Sequence, residues 1–158
     1  MLEVFIDGDA CPVKQEIYRV AQRYGLCVTL VTNSRMRAPQ EHWIRLVLVE
    51  GHLDAADDWI AEHVGEDDIV VTADIPLADR CLKRRALVLG NTGRPFTEEN
   101  IGDALATREL LSDLRDLGSV TGGPPPFSKR DRSQFLQRLD EMIQSARRRA
   151  AGGSNGAG

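Results

Sequence analysis

Short apolar and β-branched runs alternate with segments of helical periodicity along most of the chain. The runs predict five strands, at 2–6, 26–32, 44–50, 68–72 and 86–90. The segments between them predict helices at 12–24, 55–63 and 77–85. Pro12 in the first turn and Gly25 at the end bracket the first of these helices. This order predicts an α/β domain with a central, mostly parallel five-stranded sheet covered by helices on both faces.

The pattern changes after the fifth predicted strand. Residues 98–118 have helical periodicity, which the loop-like segment GSVTGGPPPFSKRD then interrupts. A further helix is predicted at 132–149, where one stripe carries Phe135, Leu136, Leu139, Met142 and Ile143. We therefore expect residues 1–149 to form one domain that includes these C-terminal helices, and 150–158 to form a flexible tail.

Composition and charge narrow the class of protein. The 158 residues are 42% hydrophobic and 28% charged, which is typical of a soluble globular domain and excludes a disordered chain. The net charge of -4 gives no whole-chain signal for nucleic acid or membrane binding. The three cysteines lack CxxC spacing, and neither a signal peptide nor a membrane-spanning segment is visible. We therefore expect a cytoplasmic protein with reduced thiols and no membrane partner.

Aspartates follow three of the predicted strands. The carboxyl ends of parallel strands meet at one edge of a sheet, where ligands of α/β proteins bind. The acids that the pattern brings to this edge are Asp7, Asp9, Asp54, Asp57, Asp58, Asp74 and Asp79. Converging carboxylates repel one another unless a cation lies between them, and Mg²⁺ and Mn²⁺ prefer such oxygen ligands. A cation held in this way suits phosphodiester hydrolysis.

Each of these acids also has an ordinary structural interpretation. Asp9 has the position of a cap for the helix at 12–24. Asp57 and Asp58 suit the first turn of a helix because acids there face its positive end. Asp79 has the position of a surface helix residue. The metal-site hypothesis therefore depends on the whole set, with Gly8 allowing the backbone to approach whatever binds there.

Basic residues fall in loops expected near the same edge. Five of them are candidates for binding the phosphates of RNA or single-stranded nucleic acid: Arg35, Arg37, Arg94, Lys129 and Arg130. Arg132 follows close by, and Phe127 has two interpretations, as a ring that stacks on a base or as an anchor for the last helix. Scattered over the surface, the same cations would form an ordinary solvated face.

Five segments of the chain resemble the successive motifs of the YaiI/YqxD family of bacterial proteins: DGDACPVK, GHLDAADDWI, VVTADIPLADRCLKR, FTEENI and GPPPFSKRDRSQF. Gly8 stands where the first motif of the family has alanine. The family has no established activity, but it is similar to PIN-like nucleases, which cut RNA or DNA with Mg²⁺ or Mn²⁺. The resemblance implies a PIN-like three-layer α/β/α sandwich.

The PIN-like similarity also implies roles for individual residues. Asp7 matches the catalytic acid after the first strand, Asp57 (or Asp58) the acid on the middle helix, and Asp74 the acid of the T-x-D segment, in which Asp79 matches a later acid. Asp7, Asp57 and Asp74 would bind the metal together with neighbouring acids, namely Asp9, Asp58 and Asp79. Thr72 would orient the loop through its hydroxyl, and Asn33 would support the site.

Two other function classes stay open. One is a haloacid-dehalogenase-like phosphatase, in which Asp7 would be a covalent nucleophile and Asp9 the acid. Ala10 and Cys11 do not fit that motif well. The other is a module that binds RNA or protein and keeps the acidic pocket without turnover.

Overall fold

The computed structural model describes residues 2–9, 11–118 and 127–156 of the chain. Over these residues the strands are β1 (Glu3–Asp7), β2 (Cys27–Thr32), β3 (Ile44–Leu48), β4 (Ile69–Val71), β5 (Leu87–Leu89) and β6 (Pro95–Phe96). The helices are α1 (Lys14–Tyr24), α2 (Ala55–His63), α3 (Ile75–Lys83), α4 (Ile101–Asp116) and α5 (Lys129–Gly156). No helix in the described ranges is long and apolar enough to cross a membrane.

The strands form one mixed sheet in the order β3-β2-β1-β4-β5-β6. The first five run parallel, and β6 pairs antiparallel with β5. The prediction of five strands was therefore one short. A strand of two residues that begins with Pro95 is too short to show an alternating hydrophobic pattern in the sequence. It follows a tight turn in which the Gly90 N–H donates to the Arg94 carbonyl at 2.8 Å.

Side chains of the strands alternate between two hydrophobic layers. Val4 and Ile6 of β1 face the layer formed with α1 and α5, whereas Phe5 between them faces the layer formed with α2, α3 and α4. Ile17 and Phe135 are fully buried in the first layer, as are Ile60 and Leu77 in the second. The chain is thus a three-layer α/β/α sandwich, as predicted.

Two helices begin earlier than the sequence predicts. α3 starts at Ile75 because the Asp74 carboxylate caps it. α5 starts at Lys129 because the Ser128 hydroxyl and the Asp131 carboxylate accept each other's backbone N–H groups at 3.1 and 3.0 Å.

The C-terminal helix is longer than expected. α5 continues to Gly156, so residues 150–156 of the expected tail are helical, and the flexibility of that tail stays a prediction. Phe135, Leu139 and Ile143 of the predicted stripe are buried, and Leu136 and Met142 are partly buried. Most of the GSVTGGPPPFSKRD loop, residues 119–126, lies outside the described residues.

The topology places a crevice between β1 and β4. The chain leaves β1 into α1 on one face of the sheet and leaves β4 into α3 on the other face. Because the two connections diverge, the carboxyl ends of these adjacent strands stay uncovered between them, which is where α/β proteins bind ligands.

Candidate functional site

The hydroxyl of Thr72 joins the ends of the two central strands. It donates to Oδ2 of Asp7 at 2.9 Å and accepts the backbone N–H of Asp74 at 3.0 Å. Thr72 is 1% exposed, so water does not compete for these hydrogen bonds. The hydroxyl fixes the Asp7 carboxylate relative to the loop that carries Asp74.

Asp74 is the N-cap of α3. Its Oδ1 accepts the backbone N–H of Leu77 at 2.9 Å, and Pro76 occupies the first turn. Oδ2 of Asp74 has no partner among the described residues. The cap thus holds the carboxylate in place and leaves one oxygen available at the edge of the sheet.

Asp57, in the first turn of α2, is the third acid at this edge. Within the described part of the chain, its carboxylate has no hydrogen bond or ion pair. Burial raises the pKa of Asp57 to about 7, and the charges of Asp74, Asp7 and Asp54 add to the increase. The unbonded, half-buried carboxylate is therefore the one most easily protonated.

The pKa of Asp7 is also shifted by burial and by neighbouring groups. Burial raises its pKa above the ordinary value, the hydrogen bond from Thr72 opposes this, and the charges of Asp9 and Asp74 raise it further. Asp7, Asp57 and Asp74 come from three separate segments and influence one another electrostatically. We refer to these three residues as the acidic cluster.

Asp9 is held on the other side of β1. Its Oδ1 accepts from the hydroxyl of Thr32 at 2.8 Å and from that of Ser34 at 3.4 Å. It does not cap α1, whose N-cap is Val13 with no side-chain hydrogen bond, so the capping interpretation was wrong. Asp9 lies beside the acidic cluster and raises the pKa of Asp7.

Asp58 and Asp79 are engaged in ion pairs. Asp58 lies 2.8 Å from the Arg80 guanidinium and 3.3 Å from Nε2 of His52. Asp79 lies 3.1 Å from Nζ of Lys83, one turn along α3. Both carboxylates are therefore already paired with cations, which distinguishes them, within the described residues, from the unpaired carboxylate of Asp57 and the free oxygen of Asp74.

Gly8 serves the packing of the sheet. Its N–H donates to the Val31 carbonyl at 2.7 Å, and a Cβ at this position would lie 2.9 Å from that oxygen and from Cδ1 of Leu30. The close approach is therefore to β2, whereas the sequence interpretation assigned it to a bound ligand. Because Gly8 has no Cβ, the chain can place Asp7 and Asp9 at the end of β1 without pushing β2 away.

The supporting and basic candidates are spread around the edge. Nδ2 of Asn33 donates to the Leu53 carbonyl at 3.3 Å, which ties the loop after β2 to the segment before α2. Among the described residues no side-chain partner binds the exposed cations Arg35, Arg37, Arg94, Lys129 and Arg130. Arg132 pairs with Glu16 at 2.8 Å and covers the Phe127 ring, so these residues anchor α5 on α1.

Sequence reasoning missed the residues that hold Asp9. Thr32 ends β2 and binds Asp9, just as Thr72 follows β4 and binds Asp7. A signal was present, since both threonines follow apolar runs in the segments LVTNS and VVTAD. The strands flanking β1 thus supply one hydroxyl for each acid of the DGD segment.

The donor set determines which cation fits. Over the described ranges, no three His, Cys, Asp or Glu side chains form a ready-made metal-binding group. The acidic cluster offers only carboxylate oxygens. Burial, together with neighbouring negative charges, raises the pKa values of Asp7 and Asp57, so a cation between the carboxylates would relieve the repulsion. Mg²⁺ keeps several waters and takes one or two carboxylates together with substrate phosphate, so it fits such an open set.

Comparisons with known proteins show a single family over nearly the whole chain. A family model described as "Uncharacterized BCR, YaiI/YqxD family" matches residues 5–145. A UPF0178 protein of Paramagnetospirillum magneticum is 56% identical over 148 residues, which cover 94% of this chain and 98% of the relative. Another, from Bradyrhizobium sp., is 53% identical over 150 residues, which cover 95% and 92% respectively. No solved structure matches the chain significantly.

Proposed function

Because the chain belongs to the YaiI/YqxD family of uncharacterised bacterial proteins, whose name assigns no reaction, we propose a function from the site itself. The acidic cluster hydrolyses phosphodiester bonds in RNA or DNA with Mg²⁺ or Mn²⁺ as cofactor. The observation that supports this is the meeting of Asp7, Asp57 and Asp74 at the switch point of a parallel sheet.

The three carboxylates would hold the cation. Asp57 has no hydrogen bond among the described residues and Asp74 leaves one oxygen free, while Thr72 keeps Asp7 oriented toward them. When bound, a divalent cation supplies charge that neutralises the phosphate and lowers the pKa of a water. A carboxylate would accept a hydrogen bond from that water and orient its oxygen toward phosphorus. As the new P–O bond forms, the P–O bond to the leaving sugar oxygen would break, the water proton would pass to the carboxylate, and the leaving oxygen would take a proton from solvent.

Protonation of Asp57 links this activity to pH. With a pKa of about 7, Asp57 is largely protonated at pH 6 when no cation is present. A ligand carboxylate must lose its proton, so cation affinity should rise with pH through about 7.

A cleavage assay tests the proposal. The purified protein with Mn²⁺ should cut 5′-labelled single-stranded RNA or DNA, and Asp7→Asn should abolish the cleavage. Asp79→Asn is the matched control because the Asp79 carboxylate is already paired with Lys83, and it should keep activity. Cleavage that survives Asp7→Asn in a folded protein would contradict the mechanism. Turnover of small phosphate esters with nucleic acid untouched would favour the phosphatase alternative.

A binding module without turnover is the second candidate function. The observation that favours it is the lack of a ready-made metal-binding group in the described part of the chain. Titration with Mn²⁺ separates the two candidates: RNA binding without any Mn²⁺ binding supports the module, and Mn²⁺ binding that Asp7→Asn removes supports the hydrolase.

A further inference from the structure

A cavity of about 470 Å³ lies between the start of α3, β6 and one face of α4. Ile75, the residue directly after Asp74, is part of its wall. The volume falls within the range of roughly 300–1,000 Å³ that small-molecule sites occupy. The cavity therefore begins one residue after Asp74 along the chain.

The walls combine an aromatic ring with aliphatic side chains. Ile75 lines the cavity from α3, Phe96 from β6 and Leu111 from α4. Phe96 is only partly buried, because it packs on the edge of the hydrophobic layer beneath. An apolar wall with an accessible ring suits a planar, partly apolar group such as a nucleobase.

Two unpaired cations line the same cavity. Arg94 and Arg108 are exposed, and among the described residues their guanidinium groups have no ion pair or hydrogen bond. A cavity of about 400 Å³ on the other face of the sheet differs in this respect. Its arginines are paired, Arg138 with Glu141 at 3.7 Å and Arg149 with Asp67 at 3.2 Å. Two free guanidinium groups beside an apolar wall indicate an anion that carries an apolar group.

We propose that this cavity binds one nucleotide unit of a single-stranded nucleic acid whose neighbouring phosphate lies at the acidic cluster. The base packs against Phe96 and Ile75, and Arg94 and Arg108 bind the phosphates of the strand. A base that enters a cavity must be unpaired, so the substrate class is single-stranded. This inference rests on the proposed function for the position of the scissile phosphate.

Asp103 restricts which chemical groups of a ligand can lie beside it in the cavity. Its carboxylate also lines the wall, on the same face of α4 as Thr107. A carboxylate repels phosphate but accepts hydrogen bonds from the amino groups of a base edge. The base therefore faces Asp103, and the phosphates stay on the side of the two arginines.

Binding without catalysis tests the cavity directly. Fluorescence anisotropy would follow a 5′-fluorescein single-stranded DNA pentanucleotide in EDTA, with each variant first checked by thermal unfolding. Arg94→Ala and Arg108→Ala should each weaken binding by about tenfold, the loss typical of a charge-assisted contact. Arg19→Ala removes an arginine of α1 that is also exposed and has no partner among the described residues, and it should leave binding unchanged. Equal losses in all three variants, or no binding by the wild type, would overturn the proposal.

A second probe separates the base from the phosphates. An abasic pentanucleotide should bind about tenfold more weakly than the parent if a base enters the cavity, because the contact between the base and the aromatic ring is lost. Equal binding would overturn the proposal. If the wild type binds the probe through Arg94 and Arg108 but never cleaves it, the proposed hydrolysis fails while the nucleotide site stands.

Discussion

At the scale of single residues, the site depends on one hydroxyl. Thr72 holds Asp7 and the Asp74 backbone together in a place that water does not reach. The sequence was sufficient to predict which acids follow the strands, because strand ends can be read from apolar runs. The sequence alone could not show that Asp58 and Asp79 take ion-pair partners, since Arg80 and Lys83 contact them only in the folded geometry.

Replacing this hydroxyl should cost both stability and activity. Thr72→Val keeps the shape of the side chain but removes two hydrogen bonds and leaves the Asp74 N–H without its partner. We expect the free energy of unfolding to fall by about 1–3 kcal/mol in urea denaturation, and cleavage to be lost. Thr72→Ser keeps the hydroxyl and should retain most of both. Equal stability of the valine and serine variants would show that the hydrogen bonds contribute little.

The raised pKa of Asp57 makes stability depend on pH. Because the folded protein holds this proton more tightly than the unfolded chain, the stabilisation is present in full below the ordinary pKa of 3.8 and is lost as pH rises through about 7. In EDTA, Asp57→Asn should therefore raise the free energy of unfolding at pH 8 by about 1 kcal/mol, a value reduced for solvent screening. Near pH 4 the variant and the wild type should be similar.

A neighbouring aspartate provides the control for this pH dependence. Asp58→Asn breaks an exposed ion pair with Arg80 but keeps the Asp57 carboxyl group, so the loss of stability between pH 4 and pH 8 should remain. If the free energy of unfolding changed with pH in the same way for the wild type and for Asp57→Asn, Asp57 would titrate at its ordinary value.

At the scale of elements, the hydrophobic patterns of the sequence predicted the parallel strands and most of the helices. The apolar runs of β1, β2, β4 and β5 identified them because strands buried on both faces are almost continuously hydrophobic. The missed strand, β6, is held by tertiary pairing with β5. α3 and α5 start early because capping residues extend them, and the hydrogen bonds of these caps cannot be read from the hydrophobic periodicity of the sequence.

The turn before β6 should be sensitive to a single methyl group. Gly93 has a φ of 87°, and a Cβ there would lie 2.9 Å from backbone atoms of Gln134 and Phe135 in α5. Gly93→Ala should therefore lower the free energy of unfolding by about 1–3 kcal/mol. Gly102→Ala in α4 meets open space and should raise stability by about 0.5–1 kcal/mol through helix propensity. Denaturant midpoints that move in the same direction for both variants would contradict this account of the turn.

At the scale of the whole molecule, the family and the fold were both predictable. The family resemblance was confirmed over nearly the full chain, and the three-layer sandwich was confirmed by the structure. The likeness to PIN-like nucleases stays a prediction. The cavity beside Asp74 was not foreseen, because it forms where α4 meets β6 and no local pattern marks that meeting. Of the residues that line this cavity, only Arg94 had been predicted as a phosphate-binding residue.

The central claim is that Asp7, Asp57 and Asp74 form the reacting centre, and two adjacent aspartates of α2 test it most directly. The measurement is the rate at which Asp57→Asn and Asp58→Asn cleave a 5′-labelled single-stranded substrate with Mn²⁺. Asp57 belongs to the acidic cluster, whereas Asp58 pairs with Arg80. We predict that Asp57→Asn slows cleavage by more than about a hundredfold while Asp58→Asn stays within a few-fold of the wild type. Equal rates for the two folded variants would contradict the account.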